Sequence, residues 1–163
     1  RSSDLVLQAG KPMPVARLSE ECGVAETVFR ALARRRLVII DSSAILAILN
    51  DEPDAPDFAR AIESADRVLM SSGTVLEATI VAGRTRRVVL DRFLAQTAVV
   101  VLPVDTEHLE VAREAWARFG RGSGSPARLN YGDCFAYAAA KVTGEPLLFK
   151  GDDFTHTDIE AAL

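Results

Sequence analysis

Cysteine and histidine are scarce in this chain, with two of each, and the scarcity removes whole classes of chemistry. Cys22 and Cys134 are too few for a disulfide framework, and the N-terminus lacks the apolar core of a secretory signal. A reducing cytoplasm is therefore the expected setting. His108 and His156 stand in no zinc-ligand pattern, and each reads as structural or solvent-facing. Long apolar runs are missing too. Runs such as Ala44–Leu49 and Ala98–Leu102 fall well short of the roughly 20 residues a membrane-spanning helix needs. Neither a dinucleotide-binding glycine fingerprint nor a phosphate-binding P-loop is present. The chain opens at Arg1 rather than methionine, as expected of a fragment or a processed product.

What is present suits one domain with a small addition: 163 residues, of which 48% are hydrophobic and 26% charged. The formal charge of −4 is unevenly spread, with residues 1–36 carrying +3 and residues 37–163 carrying −7. An acidic body does not draw in a polyanion by its overall field. If the substrate is a nucleic acid, metal ions and local arginines must supply the attraction.

From Leu37 onward, short strand-like runs alternate with helical stretches. Strands are expected at residues 37–41, 68–71, 99–102 and 146–149, and helices at 43–49, 53–63, 72–82, 85–96, 105–119 and 131–143. This order argues for a parallel α/β sheet. The stretch from Gly120 to Pro126 reads as a mobile glycine-serine loop. Residues 1–36 differ. They carry two short helical patterns, 15–22 and 25–36, around Gly23, a weak likeness to a helix-turn-helix in which Arg30, Arg34, Arg35 and Arg36 face phosphates. The plainer reading is a helical extension that packs on the body or on a partner.

The chemistry is concentrated in four acidic positions. Asp41 closes the apolar run Leu37-Val38-Ile39-Ile40, at the edge where open α/β sheets place ligands. Its bland reading is a cap for the helix beginning near Ser42. Glu77 shares a helical stripe with Thr74, Ile80 and Val81, and a carboxylate on an inward stripe needs a partner. Asp133 follows the N-cap candidate Asn130, so capping alone explains both residues. Asp152 and Asp153 follow the last strand through Lys150-Gly151. Several carboxylates in one cleft cannot all stay ionised without raised pKa values or a cation. Oxygen-only ligands favour a hard ion, Mg2+ or Mn2+. Cys134 reads as a small core residue.

Together these segments resemble the PIN-domain family, and in particular the VapC-like toxin ribonucleases of toxin–antitoxin pairs. The resemblance is carried by Val38-Ile39-Ile40-Asp41-Ser42-Ser43-Ala44, by the Glu77 helix, by Leu129-Asn130-Tyr131-Gly132-Asp133-Cys134, and by Leu147 to Phe154 with Thr157-Asp158. It spans residues 38–163. It implies a three-layer α/β/α fold with a central parallel sheet of about four to five short strands over residues 37–163, with residues 1–36 as a helical N-terminal extension. The implied activity is that of a toxin, a Mg2+- or Mn2+-dependent endoribonuclease cutting tRNA or ribosomal RNA, silenced by a VapB-like antitoxin and built as a homodimer. By position, Asp41, Glu77 and Asp133 match the family's central acids and metal ligands, and Ser43 the hydroxyl that supports the first. The fourth acid is Asp153 in preference to Asp152, since many relatives carry Asp where Gly151 stands. Asn130 and Asp152 are supporting residues. Arg84, Arg86, Arg87, Arg121, Arg128 and Lys150 are candidate RNA contacts, each of which reads equally as solvated surface.

Three rivals remain. Asp-nucleophile phosphatases usually carry a second Asp two residues after the first, where Ser43 stands here. A signalling receiver domain would have no use for the Asn130–Asp133 cluster. The non-enzymatic alternative is a catalytically inactive PIN-like binding or regulatory module with a DNA- or partner-binding N-terminal helix pair.

Overall fold

The computed structural model describes residues 36–163. The N-terminal helix pair, the arginines proposed for it before Arg36, and Cys22 lie outside the described residues. The elements are β1 (Leu37–Ile40), α1 (Ser42–Leu49), α2 (Ala55–Ser64), β2 (Arg67–Ser71), α3 (Ser72–Gln96), β3 (Val100–Leu102), α4 (Thr106–Phe119), α5 (Tyr131–Thr143), β4 (Leu147–Leu148) and a 3-10 turn, Asp153–His156.

The strands form a single four-stranded sheet in the order β3-β2-β1-β4, and every pairing is parallel. Val38 pairs with Val68, Ile39 with both Leu69 and Leu147, and Ser71 with Leu102. Side chains alternate across a strand, which explains why the apolar runs are continuous: each face has its own core. Ile39, Leu69 and Leu147 join Ala112 and Ala115 of α4 and Ala136–Ala140 of α5. Val38, Ile40, Val68, Met70 and Leu148 join Ile45 of α1, Phe58 and Ile62 of α2, and Ala78, Ala82 and Leu90 of α3. Helices therefore cover both faces, giving the three expected layers.

The strand order places the switch point between β1 and β4. The chain proceeds from β1 outward through β2 to β3, then returns on the far side of β1. In such sheets the crevice at the C-terminal ends of the strands flanking the reversal is where ligands bind. Asp41 leaves β1 at that crevice, and Lys150 to Asp153 leave β4 beside it.

The two helices expected over 72–82 and 85–96 are present as the two halves of α3, separated at Gly83, whose non-helical φ of 64° and ψ of −176° suit glycine. Two sequence expectations need correction. Ile80 and Val81 do not share the buried stripe of that helix. They are 70% and 62% exposed, because small residues spaced by four, Thr74, Ala78 and Ala82, form the side that meets the sheet. The glycine-serine loop is a bonded turn rather than an open tether. Ser123 Oγ donates to the Arg118 carbonyl (3.2 Å), the Ala127 amide donates to Ser125 Oγ (3.2 Å), and Ala127 and Leu129 are fully buried. No described helix is long and apolar enough to cross a membrane.

Candidate active site

Asp41 is the N-cap of α1 and is buried. Its Oδ2 accepts from the Ser43 amide (2.9 Å) and from Ser43 Oγ (2.6 Å), so the cap role read from sequence is present. The cap occupies only one oxygen. Oδ1 is buried and accepts no hydrogen bond. An acceptor in that condition costs free energy unless something else meets it. Burial pushes the Asp41 pKa upward, the Ser43 bonds oppose it, and the nearby charge of Asp153 adds to the rise.

Ser43 also ties the two edges of the crevice together. The hydroxyl that donates to Asp41 accepts from the Lys150 amide (3.0 Å), linking α1 to the end of β4.

Asp133 is the third residue of α5. Asn130 Oδ1 accepts from the Gly132 amide (2.6 Å) and the Asp133 amide (3.0 Å), while Asp133 Oδ2 accepts from the Asn130 amide (2.6 Å), a reciprocal capping box. Capping does not exhaust Asp133 either. Its pKa is raised from 3.8 to about 7, first by burial, which the Asn130 bond opposes, and then by the charges of Asp41, Glu77 and Asp153. Glu77, part-buried on α3, accepts from Ser42 Oγ through Oε2 (2.9 Å). Its pKa is raised by burial, lowered by the Ser42 bond and raised by Asp41.

Asp153 opens the 3-10 turn and is exposed, while the next residue, Phe154, is buried against Phe149 with ring centroids 5.0 Å apart. It is Asp153, and not Asp152, whose charge acts on both Asp41 and Asp133. The four acids from β1, α3, α5 and the turn after β4 are thus electrostatic neighbours at one edge of the sheet.

The basic candidates have contacts of their own. Arg84, Arg86 and Arg87 are exposed beyond the Gly83 kink, and Arg87 Nε lies 3.8 Å from Asp91 Oδ2. Arg121 Nε donates to the Arg128 carbonyl (3.4 Å), and Arg128 adopts a φ of 51°. The Lys150 ammonium is engaged by Glu52 and by Asp54 (2.9 Å), which pin the α1–α2 connection to the end of β4. Sequence reasoning missed these two carboxylates, and also Ser42 and Gly132. A β-carbon on Gly132 would overlap the carboxylate of Glu77. Only the hydroxyl beside Asp41 hinted at Ser42, and nothing local linked it to Glu77.

Among the described residues, no group of three or more His, Cys, Asp or Glu side chains is placed to hold a metal ion by itself. A small hard cation needs none, since Mg2+ keeps several waters and takes one or two carboxylates. The all-oxygen donor set and the unpartnered Oδ1 of Asp41 fit such an ion.

The profile of the PIN domain matches residues 38–160. The chain belongs to the PIN domain family. Within it, the chain is similar to ribonuclease VapC28 of Mycobacterium tuberculosis, with 47% identity over 130 residues, 77% of this chain and 98% of that protein. Two solved structures share the PIN fold at low identity. One is the M. tuberculosis toxin VapC20, described as cleaving the sarcin-ricin loop, with a TM-score of 0.60 and 18% identity over 75% of this chain and 95% of that one. The other is from a toxin–antitoxin complex of Klebsiella pneumoniae, with a TM-score of 0.58 and 14% identity over 74% and 92%. The PIN match begins at Val38 and so includes all four acids.

Proposed function

We propose that this PIN domain protein is the toxin of a toxin–antitoxin pair, a Mg2+- or Mn2+-dependent endoribonuclease that hydrolyses phosphodiester bonds of tRNA or ribosomal RNA in the cytoplasm. The observation that carries the reading is the buried, unpartnered Oδ1 of Asp41 beside acids whose pKa values are raised. Such a cleft stores repulsion that a divalent cation relieves.

In this reading Asp41, Glu77 and Asp133 would hold the cation, one or two of them directly and the rest through its waters, and Asp153 stands at the rim. When bound, the ion supplies Lewis-acid polarisation of the scissile phosphate and eases deprotonation of the attacking water. The chain's own residues do the rest. Ser43 fixes Asp41 through Oδ2 and leaves Oδ1 without a hydrogen bond, and the capping box leaves Oδ1 of Asp133 as its second acceptor. With the cleft unneutralised, that carboxyl holds a proton near neutral pH. An acidic cleft also repels a bare RNA strand, and it suits a basic inhibitory segment of a VapB-like antitoxin. The apolar side chains Leu76, Ile80, Val88 and Val89, exposed along α3, support a homodimer.

Thermal unfolding with and without Mn2+ separates this reading from the inactive PIN-like module. An ion that binds only the folded state raises the melting temperature by mass action. We expect a Mn2+-dependent rise that Asp41→Asn abolishes. Equal midpoints with and without Mn2+ in the parent would favour the inactive module.

A further inference from the structure

Glu77 enters the cleft from α3, and two contacts determine where its carboxylate rests. Ser42, buried at the first position of α1, donates its hydroxyl to Glu77 Oε2 (2.9 Å). On the opposite side stands Gly132 of α5, where any β-carbon would occupy the volume of both Glu77 carboxylate oxygens. A second glycine repeats the arrangement one turn earlier on α3: a β-carbon on Gly73 would fall 2.6 Å from Cγ of Phe135. The helices bearing Glu77 and Asp133 therefore approach closely at two glycines. Consecutive serines also divide the labour at the start of α1, Ser43 bonding Asp41 and Ser42 bonding Glu77.

We propose that Ser42 and Gly132 are positioning residues that set the Glu77 carboxylate relative to Asp41 and Asp133, and through it the cation affinity of the cleft. This rests on the metal-nuclease reading above. Ser42 is a neutral donor, so it orients Glu77 without neutralising the charge that the cation requires. Gly132 gives the carboxylate room that no other residue type would leave. Partners that orient a ligating carboxylate typically change metal affinity about 10–100-fold when removed.

Calorimetric titration of Mn2+ into the full chain tests this, with the metal-free melting temperature as a check on folding. Ser42→Ala is expected to weaken Mn2+ binding by about 10–100-fold, with Ser42→Thr restoring it because the hydroxyl returns. Gly132→Ala is made in the parent and in Glu77→Ala, where the obstructing carboxylate is gone and the methyl has space. It should weaken binding in the parent and change nothing further in Glu77→Ala, the signature of two residues acting through one contact. Unchanged Mn2+ affinity in Ser42→Ala, failure of Ser42→Thr to restore it, or an equal loss from Gly132→Ala in both backgrounds would overturn the proposal. A parent that binds no Mn2+, or binds it as well after Asp133→Asn, would instead overturn the metal-nuclease reading on which it stands.

Discussion

At the residue scale, the acids of the cleft serve two purposes that pull in opposite directions. Asp41 and Asp133 cap helices, which favours their ionised forms, yet burial drives both pKa values up. For Asp133 the folded value of about 7 lies above the ordinary 3.8, so the folded state binds more protons between those limits. Its contribution to stability is then fully present below the lower value and is lost as the pH rises through the upper one. The metal-free melting temperature should therefore fall between about pH 4 and pH 7, and Asp133→Asn should flatten that fall and melt higher than the parent at pH 7. Asp158 does not cancel the effect. Held near 2 by Tyr137 first and then by Lys141, it titrates below this window. Equal pH profiles for parent and variant would show that Asp133 carries no such strain. Asp41, Asp133 and Asp153 were legible in the sequence because each follows a buried strand or opens a helix, whereas Glu77 was placed by a stripe of which only Thr74 is buried and Ile80 and Val81 are exposed. Their supports were not: Ser42 meets Glu77 across 35 positions, and Lys150 meets Glu52 across 98, separations no local pattern encodes.

At the element scale, the strands were readable from continuous Val, Ile and Leu runs, because a parallel sheet covered on both faces needs no alternation. Faces of helices were harder. Ile80 and Val81 read as buried by their apolarity, whereas Thr74, Ala78 and Ala82 pack on the sheet because small side chains let α3 lie close. Helix ends carry a testable contrast. Gly144 follows α5 with a φ of 70°, a conformation glycine adopts freely, but Ala98 holds a φ of 48° just past α3 with a β-carbon to accommodate. Ala98→Gly should raise stability by about 0.5–1 kcal/mol and Gly144→Ala should lower it by a similar amount, read from urea unfolding midpoints. A destabilised Ala98→Gly would mean that the methyl packs usefully there.

At the scale of the whole molecule, the strand order β3-β2-β1-β4 makes the site, since it sets β1 beside β4 and brings Asp41 next to the turn bearing Asp153. The order of elements along the sequence implied a parallel sheet but not which strands were neighbours, because strand pairing joins residues far apart in the chain. The same architecture turns Leu76 and Ile80 of α3 outward, 61% and 70% exposed. If these form the homodimer contact, Ile80→Glu should shift the protein from dimer to monomer in light scattering while leaving its melting curve cooperative, and a parent that is already monomeric would refute that contact. Whether the four acids make one metal-dependent RNA-cleaving site is decided by incubating a total cellular RNA pool with the parent, Asp41→Asn or Asp133→Asn, with Mg2+, Mn2+ or a chelator, and sequencing the new ends. Discrete new ends are expected with the parent and either ion, none with the chelator, and none with either folded variant. Metal-independent cleavage, or the same ends from Asp41→Asn and Asp133→Asn, would contradict such a site.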